Sequence, residues 1–187
     1  MGLFEEKLRE WTKKDPLIGI FEGIRDIPYA IIPELNTPSR CEDILRIGRG
    51  SCSPKHFLMG KMYGRLGIDV LYIVYPFRWD EVEVDFPPSL KRLSREMPLS
   101  YHLACLVDVG GRFVLVDATL DPPLEKIGLP INRWNGRDDT LLPIKPCGEG
   151  MIYHPLEVGE VDTRRDEKSL LFYEMLNRWL EEVRNEP

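Results

Sequence analysis

The sequence predicts an α+β fold, in which a helical N-terminal part packs on an antiparallel sheet and a C-terminal helix closes one side. Apolar side chains recur at three- and four-residue steps near both ends of the chain, a spacing typical of amphipathic helices. Stretches rich in Val, Ile and Tyr lie between these ends. Two of them are joined by Gly110-Gly111, a dipeptide typical of a tight hairpin, so the sheet is expected to be antiparallel.

The composition is that of an ordinary globular protein: 187 residues, 43% hydrophobic and 30% charged. We expect one domain over residues 1–187, with a core at about 25–124 and a closing helix at about 166–184. A net charge of −6 argues against a protein that binds the phosphate backbone of nucleic acids, so no nucleic-acid partner is expected. No segment approaches the roughly twenty apolar residues of a membrane span, and the acidic N-terminus does not resemble a secretory signal. We therefore expect a cytoplasmic protein without a membrane partner.

The N-terminal third predicts short helices and then a shaped loop. Helical spacing of apolar residues predicts a helix over 2–14, which Asp15-Pro16 ends, and a second over 17–25. Prolines at positions 28, 33 and 38 interrupt the next stretch too often for long regular structure.

The next predicted helix places a cysteine at its start. Apolar residues at helical spacing predict a helix over 54–66, with Ser53 as the capping hydroxyl and Pro54 in the first turn. Cys52 then lies at the first turn, where unpaired amides and the positive end of the helix dipole favour a thiolate. The same amides can bind the oxyanion of a tetrahedral intermediate.

Three strands are expected after this helix, over 69–77, 101–109 and 112–120. Residues 79–99 carry charges and prolines and are expected to cross the surface as a long excursion. Shorter strand-like pieces fall at about 141–144 and 151–154.

The Gly110-Gly111 turn fixes a register that brings an imidazole and a carboxylate together. In a two-residue turn facing residues have numbers that sum to 221, so His102 faces Thr119 and Ala104 faces Asp117. His102 and Asp117 then lie on one face as diagonal neighbours, roughly 7–8 Å apart at the backbone, within bonding reach. A three-residue loop would put them on opposite faces. A carboxylate behind a histidine fixes its tautomer and stabilises the charged ring.

These residues carry a family resemblance. The order GRGSC-x-x-K at 48–55, then His102, then GRF-x-x-VDAT-x-DP at 111–122, resembles the transglutaminase-like superfamily of papain-related thiol enzymes across roughly residues 25–124. The resemblance implies a papain/transglutaminase-like core, with the nucleophile-bearing helix packed on an antiparallel sheet. It implies that Cys52 is the nucleophile, His102 the general base and acid, and Asp117 the residue that orients the histidine.

The resemblance does not select one reaction. Members of the superfamily cross-link glutamine to lysine, cleave peptide or other amide bonds, or remove glycans from asparagine. We expect an amide-containing small molecule, peptide or protein as the substrate, with hydrolysis favoured because water is always present. A non-catalytic peptide- or protein-binding module that retains the fold is the alternative. The oligomeric state is not indicated.

No cofactor and no metal are expected. The four cysteines, at 41, 52, 105 and 147, form no CxxC pair, and no acidic loop resembles an EF-hand. A Cys/His metal site is the least favoured reading of the cysteine and histidine pattern. The apolar run around Cys105 predicts that this thiol is buried.

Two aromatic residues are candidates for oxyanion or substrate contacts. In the family a second oxyanion donor comes from upstream of the cysteine, which here selects Tyr29, with Trp11 behind it. Trp79 could wall an acyl groove, although an aromatic residue at a strand end more often serves packing. His56, one turn after Cys52, is expected to be a surface or capping residue, and Asp121 to belong to a turn with Pro122.

Overall fold

The computed structural model of the chain describes residues 2–161 and 164–186. Over these residues the α-helices are α1 (Leu3–Trp11), α2 (Pro16–Arg25), α3 (Asp43–Ile47), α4 (Cys52–Arg65), α5 (Pro88–Glu96) and α6 (Glu167–Asn185). The strands are β1 (Val70–Phe77), β2 (Ser100–Asp108), β3 (Phe113–Val116) and β4 (Met151–Tyr153). Short 3₁₀ turns connect several of them. The α+β class is confirmed.

The strands form one antiparallel sheet in the order β3-β2-β1-β4. The predicted hairpin register is confirmed, since Cys105 faces Val116 and Asp108 faces Phe113. Gly110 and Gly111 have φ values of 66° and 87°, left-handed conformations that suit glycine and match a tight turn to the strand twist. This local turn therefore sets which side chains share a face of the sheet.

Both N-terminal helices are confirmed, with α2 starting one residue earlier than expected. Asp15 not only follows α1 but also caps α2, because its side chain accepts hydrogen bonds from the amides of Leu17 and Ile18. The Trp11 ring lies where a side chain at Gly23 would stand, so α1 can approach α2 closely.

Helix α4 lies between α2 and the sheet. The Tyr63 hydroxyl donates to the Leu17 carbonyl at 2.7 Å on the α2 side. On the sheet side, the ring of Phe57 meets that of Tyr72 edge-on at 5.3 Å. Because both sides of the helix are covered, all residues from 52 to 59 are buried. The predicted cap was wrong: the helix begins at Cys52 with Ser51 at the N-cap, and the Ser51 hydroxyl donates to Asn36 Oδ1 at 2.7 Å.

Strand β3 is shorter than the predicted 112–120. After Val116, side chains replace the ladder partners: the Asp117 amide donates to Thr140 Oγ1 and the Thr119 amide donates to Asp117 Oδ1. The chain therefore leaves the sheet at Asp117. The strand-like piece at 151–154 is confirmed as β4, whereas residues 141–144 form no strand.

The segment over 79–99 was expected to cross the surface, and more than half of its residues are exposed, but it is also attached to the core. It contains α5 and a 3₁₀ turn at Trp79–Glu81. Five of its residues are buried, namely Trp79, Phe86, Leu90, Ser94 and Met97. Acidic residues at 81, 83 and 85 are exposed and alternate with apolar residues at 82, 84 and 86 that are covered to differing degrees, so one edge of this segment faces inward.

The predicted closing helix is confirmed as α6. Asp166 caps it by accepting from the Ser169 amide, and its apolar stripe packs against α5 and the segment after β1. None of the helices formed by residues 2–161 and 164–186 combines the length and apolar character needed to cross a bilayer.

Candidate active site

Cys52 is the first residue of α4, and its side chain lines a cavity together with His102. Only 8% of the residue is exposed. Helix α4 is 14 residues long, so its first-turn amides and dipole lie at the cysteine. This is the placement that the helix-start prediction required, although the cap itself differs.

His102 on β2 and Asp117 just after β3 are in direct contact. His102 Nε2 lies 2.5 Å from Asp117 Oδ2, and both residues are almost fully buried. The contact follows from the hairpin register, which places both side chains on one face. Asp117 Oδ1 accepts from the Thr119 amide at 2.9 Å, so both carboxylate oxygens have fixed partners.

The surroundings of His102 favour its charged form. Burial by itself lowers the pKa of His102, but the charge of Asp117, the charge of Cys52 and hydrogen bonds to both outweigh it and raise the pKa to about 10. Burial raises the pKa of Asp117, yet the charge and hydrogen bond of His102 reverse this and lower it overall. Because Nε2 is bonded to Asp117, Nδ1 is the ring nitrogen left for Cys52. The predicted residues Cys52, His102 and Asp117 thus lie together, with the imidazole of His102 between the thiol and the carboxylate.

His56 was expected to be a surface or capping residue, and the surface position is wrong. The residue is fully buried, and its ring bridges α4 to the chain that leaves β3. Nε2 accepts from the Ala118 amide at 3.0 Å, so the proton of the neutral ring lies on Nδ1, which donates to the Cys52 carbonyl at 2.8 Å. Burial lowers the pKa of His56 to about 4, so the ring is neutral at physiological pH. His56 therefore fixes the helix start that bears Cys52 relative to the neighbour of Asp117.

We expect His56→Phe to lower the free energy of unfolding by about 1–3 kcal/mol at pH 7, because the buried Ala118 amide loses its acceptor. The folded protein binds a proton at His56 only below about pH 4, whereas the unfolded chain binds it below about pH 6.5. Wild-type stability from this group therefore falls as the pH falls from 6.5 to 4, by about 3 kcal/mol. The His56→Phe variant has no imidazole at this position, so its stability does not show this pH-dependent loss.

Urea unfolding at several pH values from 7 to 4 gives the free energy of unfolding of the wild type and of His56→Phe. The difference between the two free energies should shrink on acidification and vanish or reverse near pH 4. His56→Gln, which retains an acceptor near the position of Nε2, should be less destabilised at pH 7. A difference that stays constant with pH would contradict a neutral, buried His56.

Lys55 was not recognised in the sequence as a buried residue. It is fully buried, and its ammonium donates to the carbonyls of Arg25, Ile27 and Thr119 at 3.0, 2.7 and 2.7 Å. Burial lowers the pKa of Lys55 to about 7, although the nearby Asp121 and Asp117 carboxylates oppose the change. The side chain joins the end of α2, the loop before Tyr29 and the strand exit beside Asp117.

Tyr29 lines the same cavity as Cys52, but its backbone amide is already engaged. That amide donates to Asp121 Oδ1 at 2.7 Å, and the Tyr29 carbonyl accepts from Arg184 at 2.8 Å. The expected Trp11 partner packs on α2 instead, in a different apolar cluster from Tyr29. The role of the Tyr29 side chain stays a prediction.

Trp79 also lines the cavity, and it serves packing as well. Its rings meet Phe77 and Phe172 edge-on at 5.1 and 5.0 Å. The indole Nε1 is buried and has no hydrogen-bond partner among the described residues, and the same is true of Thr119 Oγ1. Thr119 lines the cavity too, so both residues that carry an unsatisfied polar atom belong to its walls.

The cavity itself could not be foreseen from the sequence. Its free space totals about 740 Å³, mouth included, of which the centre of a water molecule can occupy about 60 Å³. Its walls come from β1 and β2, the segment after β1, the chain after β3 and α6. Among the described residues that line it, none is Asp, Glu, Lys or Arg.

Asp121 lies in a turn with Pro122 as expected, at the N-cap of a 3₁₀ turn, but it also forms an ion pair that the sequence did not reveal. Arg184 of α6 donates to both carboxylate oxygens of Asp121, at 2.7 and 2.8 Å. Both side chains are nearly buried, at 11% and 2% exposure. The pair joins α6 to the end of the strand that carries Asp117.

The remaining cysteines differ from Cys52 in their surroundings. Cys41 and Cys105 are buried, as predicted for Cys105, and burial raises the pKa of both thiols, that of Cys41 to about 11. Cys147 is exposed. Within residues 2–161 and 164–186, no three His, Cys, Asp or Glu side chains are grouped so as to hold a metal ion.

Comparison of the chain with protein-family models, with curated proteins and with solved structures found no match.

Proposed function

We propose that this chain is a cysteine-dependent acyl-transfer enzyme with a papain/transglutaminase-like core. The observation that carries the proposal is the 2.5 Å contact between His102 Nε2 and Asp117 Oδ2, with Cys52 acting on the same ring from the start of α4. A nucleophile, a base and a residue that orients the base are the three parts that covalent acyl transfer requires. The fold supports the family resemblance because the cysteine begins a helix that packs on the strands of the other two residues.

The reaction follows from the charges at these groups. The raised pKa of His102 means that the ring carries a proton at neutral pH. The ring and the amides at the start of α4 both favour the charged sulfur that attacks the substrate. The Cys52 sulfur attacks the acyl carbon, and the tetrahedral oxyanion is stabilised by the amides at the start of α4. His102 gives its proton to the leaving group, the carbon–leaving-group bond breaks, and a thioester remains at Cys52.

The second half regenerates the site. Water or an amine gives a proton to His102 as it attacks the thioester, the carbon–sulfur bond breaks, and the Cys52 thiolate is restored beside the imidazolium. Asp117 holds the ring in place in both halves. The acyl donor is an amide-containing small molecule, peptide or protein, and water is the default acceptor.

Trp79 is the better of the two candidates for the second oxyanion donor. Trp79 lines the cavity, and its indole N–H is buried and has no hydrogen-bond partner among the described residues. The Tyr29 amide, in contrast, is taken by Asp121. Oxyanion stabilisation needs a hydrogen-bond donor that has no other partner and can therefore bind the charge that develops on the substrate.

Alkylation with iodoacetamide at neutral pH, mapped by mass spectrometry, tests the proposal. Cys147 is an exposed thiol in the same molecule and serves as the internal reference. We expect Cys52 to react at least about tenfold faster than Cys147, although it is only 8% exposed, because the pairing with His102 activates its sulfur. His102→Ala should abolish this preference, whereas the same change at the exposed His154 should leave it intact.

Equal labelling, or labelling of Cys147 alone, would contradict the proposal and favour the non-catalytic binding module.

A further inference from the structure

We propose that the acyl group accepted at Cys52 is slender, uncharged and apolar, and that it occupies the cavity with Thr119 and Trp79 as its polar contacts. The inference rests on the proposed function and adds the class of acyl donor to it. Three features of the cavity carry it, namely the lack of charged groups other than the catalytic residues, its narrowness, and the unsatisfied polar atoms of two lining residues.

The shortage of charged partners in the cavity disfavours charged acyl groups. Among the described residues that line it, none is Asp, Glu, Lys or Arg, and the basic side chain of His102 is paired with Asp117. A carboxylate or ammonium group that entered would lose its hydration without gaining a partner, which is costly. An acyl group with an ionised side chain is therefore a poor ligand.

The shape of the cavity favours a narrow chain or a flat ring. The free space is narrow, since the centre of a water molecule can occupy only about 60 Å³ of it. Apolar side chains from distant parts of the chain enclose it, including Val84 and Phe86 from the segment after β1, Leu129, and Leu176 and Leu180 of α6. Such walls stabilise a ligand mainly through the burial of apolar surface.

The two unsatisfied polar atoms indicate what the ligand adds. Native proteins rarely leave a buried donor or hydroxyl without a partner. Trp79 Nε1 can only donate, and Thr119 Oγ1 can donate or accept, so a ligand with a hydrogen-bond acceptor satisfies both. Thr119 lies next to the reacting groups, because its amide bonds Asp117 Oδ1. A carbonyl with an apolar chain has this combination of features.

A series of p-nitrophenyl esters tests the inference, with acetate, butanoate and hexanoate as donors and the monosuccinate ester as the charged analogue of butanoate. In the test reaction the Cys52 sulfur forms a thioester and p-nitrophenolate leaves with the electron pair of the broken bond. Its absorbance gives kcat/KM for acylation, and mass spectrometry locates the acyl group on Cys52. Rates with a free thiol in solution correct for intrinsic reactivity.

We expect kcat/KM to rise about three- to fourfold per methylene, or about a hundredfold from acetate to hexanoate. The succinate ester should be at least tenfold slower than butanoate. Val84→Trp, which narrows the cavity, should abolish the gain per methylene. Leu156→Trp, at a residue that is 90% exposed, should retain it. If kcat/KM does not change with chain length, or is equal for the succinate and butanoate esters, the inference is overturned. Acylation of Cys52 would in that case still support the proposed function.

Thr119→Val tests the polar contact separately. Because the hydroxyl has no partner among the described residues, its removal should leave the urea midpoint unchanged or higher. It should nevertheless lower kcat/KM about five- to tenfold for every ester without changing the gain per methylene. A lower urea midpoint, or unchanged kinetics, would overturn the role of Thr119.

Failure of the proposed function gives a different pattern. If no ester acylates Cys52, the proposed acyl-transfer function is overturned, and so is the proposal that the cavity binds the acyl group. Titration of Cys52→Ala with 2-octanone, followed by the fluorescence of Trp79 and Trp179 in the cavity wall, then decides the ligand class. Saturable binding would still support an apolar ligand, and no binding would overturn that as well.

Discussion

Replacement of Asp117 by Asn is expected to lower the acylation rate of Cys52 by about 10³- to 10⁴-fold with little change in the fold. The carboxylate has two fixed partners, the Thr119 amide at Oδ1 and the His102 ring at Oδ2. In the variant, the amide oxygen must stay at Thr119, because that position faces a donor. The Asn NH₂ group then faces His102 Nε2 and reverses the hydrogen bond.

The reversed hydrogen bond changes the charge state of the ring. Nε2 becomes an acceptor, so the ring can no longer be protonated at that nitrogen without losing the contact. The Asp117 charge that raises the pKa of His102 is also gone, whereas the burial that lowers it remains. We therefore expect the pKa of His102 to fall well below about 10, although the charge and hydrogen bond of Cys52 still oppose the fall.

Two measurements check this result: p-nitrophenyl acetate acylation, and titration of the His102 ring by NMR. Asp85→Asn, at a carboxylate whose side chain is 99% exposed, is the matched control and should change neither. If the rate falls while the His102 titration is unchanged, the carboxylate does not act through the ring.

The hairpin explains why the imidazole–carboxylate pair could be predicted from the sequence. Gly110-Gly111 defines a tight turn, and a tight turn fixes the register of both adjoining strands. His102 and Asp117 are only 15 residues apart, so their contact depends on this local geometry and on little else. Cys52 could be placed because Pro54 and the apolar spacing mark the start of α4.

The burial of Lys55 and His56 could not be predicted, because helical periodicity assumes one apolar face and one face in water. Helix α4 has α2 on one side and the sheet on the other, so polar residues on the second face are enclosed as well. Only their hydrogen bonds reveal their role, and those partners lie up to 64 residues away.

The cavity escaped prediction for a similar reason. Its walls are side chains such as Val84, Leu129 and Leu180, which come from three separate parts of the chain and meet only in the folded protein. The early end of β3 also depends on a distant residue, because the Asp117 amide donates to the hydroxyl of Thr140, well beyond the strand. Periodicity describes a segment and does not report which other segment covers it.

Breaking the buried ion pair between Asp121 and Arg184 is expected to destabilise the protein strongly. Arg184→Ala should lower the free energy of unfolding by about 3–5 kcal/mol, because it leaves the Asp121 carboxylate buried with only the Tyr29 amide as a hydrogen-bond partner among the described residues. The Tyr29 carbonyl loses its donor in the same change.

Helix α6 offers a matched control for this prediction. Arg178 pairs with Glu174 on the same helix, but both side chains are 67% exposed, so Arg178→Ala should cost less than about 0.5 kcal/mol. Urea unfolding of both variants gives the two values, and similar losses would contradict a dominant role for the buried pair. Because α6 also carries Leu176 and Leu180 of the cavity wall, Arg184→Ala should weaken the preference for longer esters under conditions where the protein is still folded. The buried pair thus links the stability of α6 to the selectivity of the site, since the same helix closes the fold and shapes the cavity.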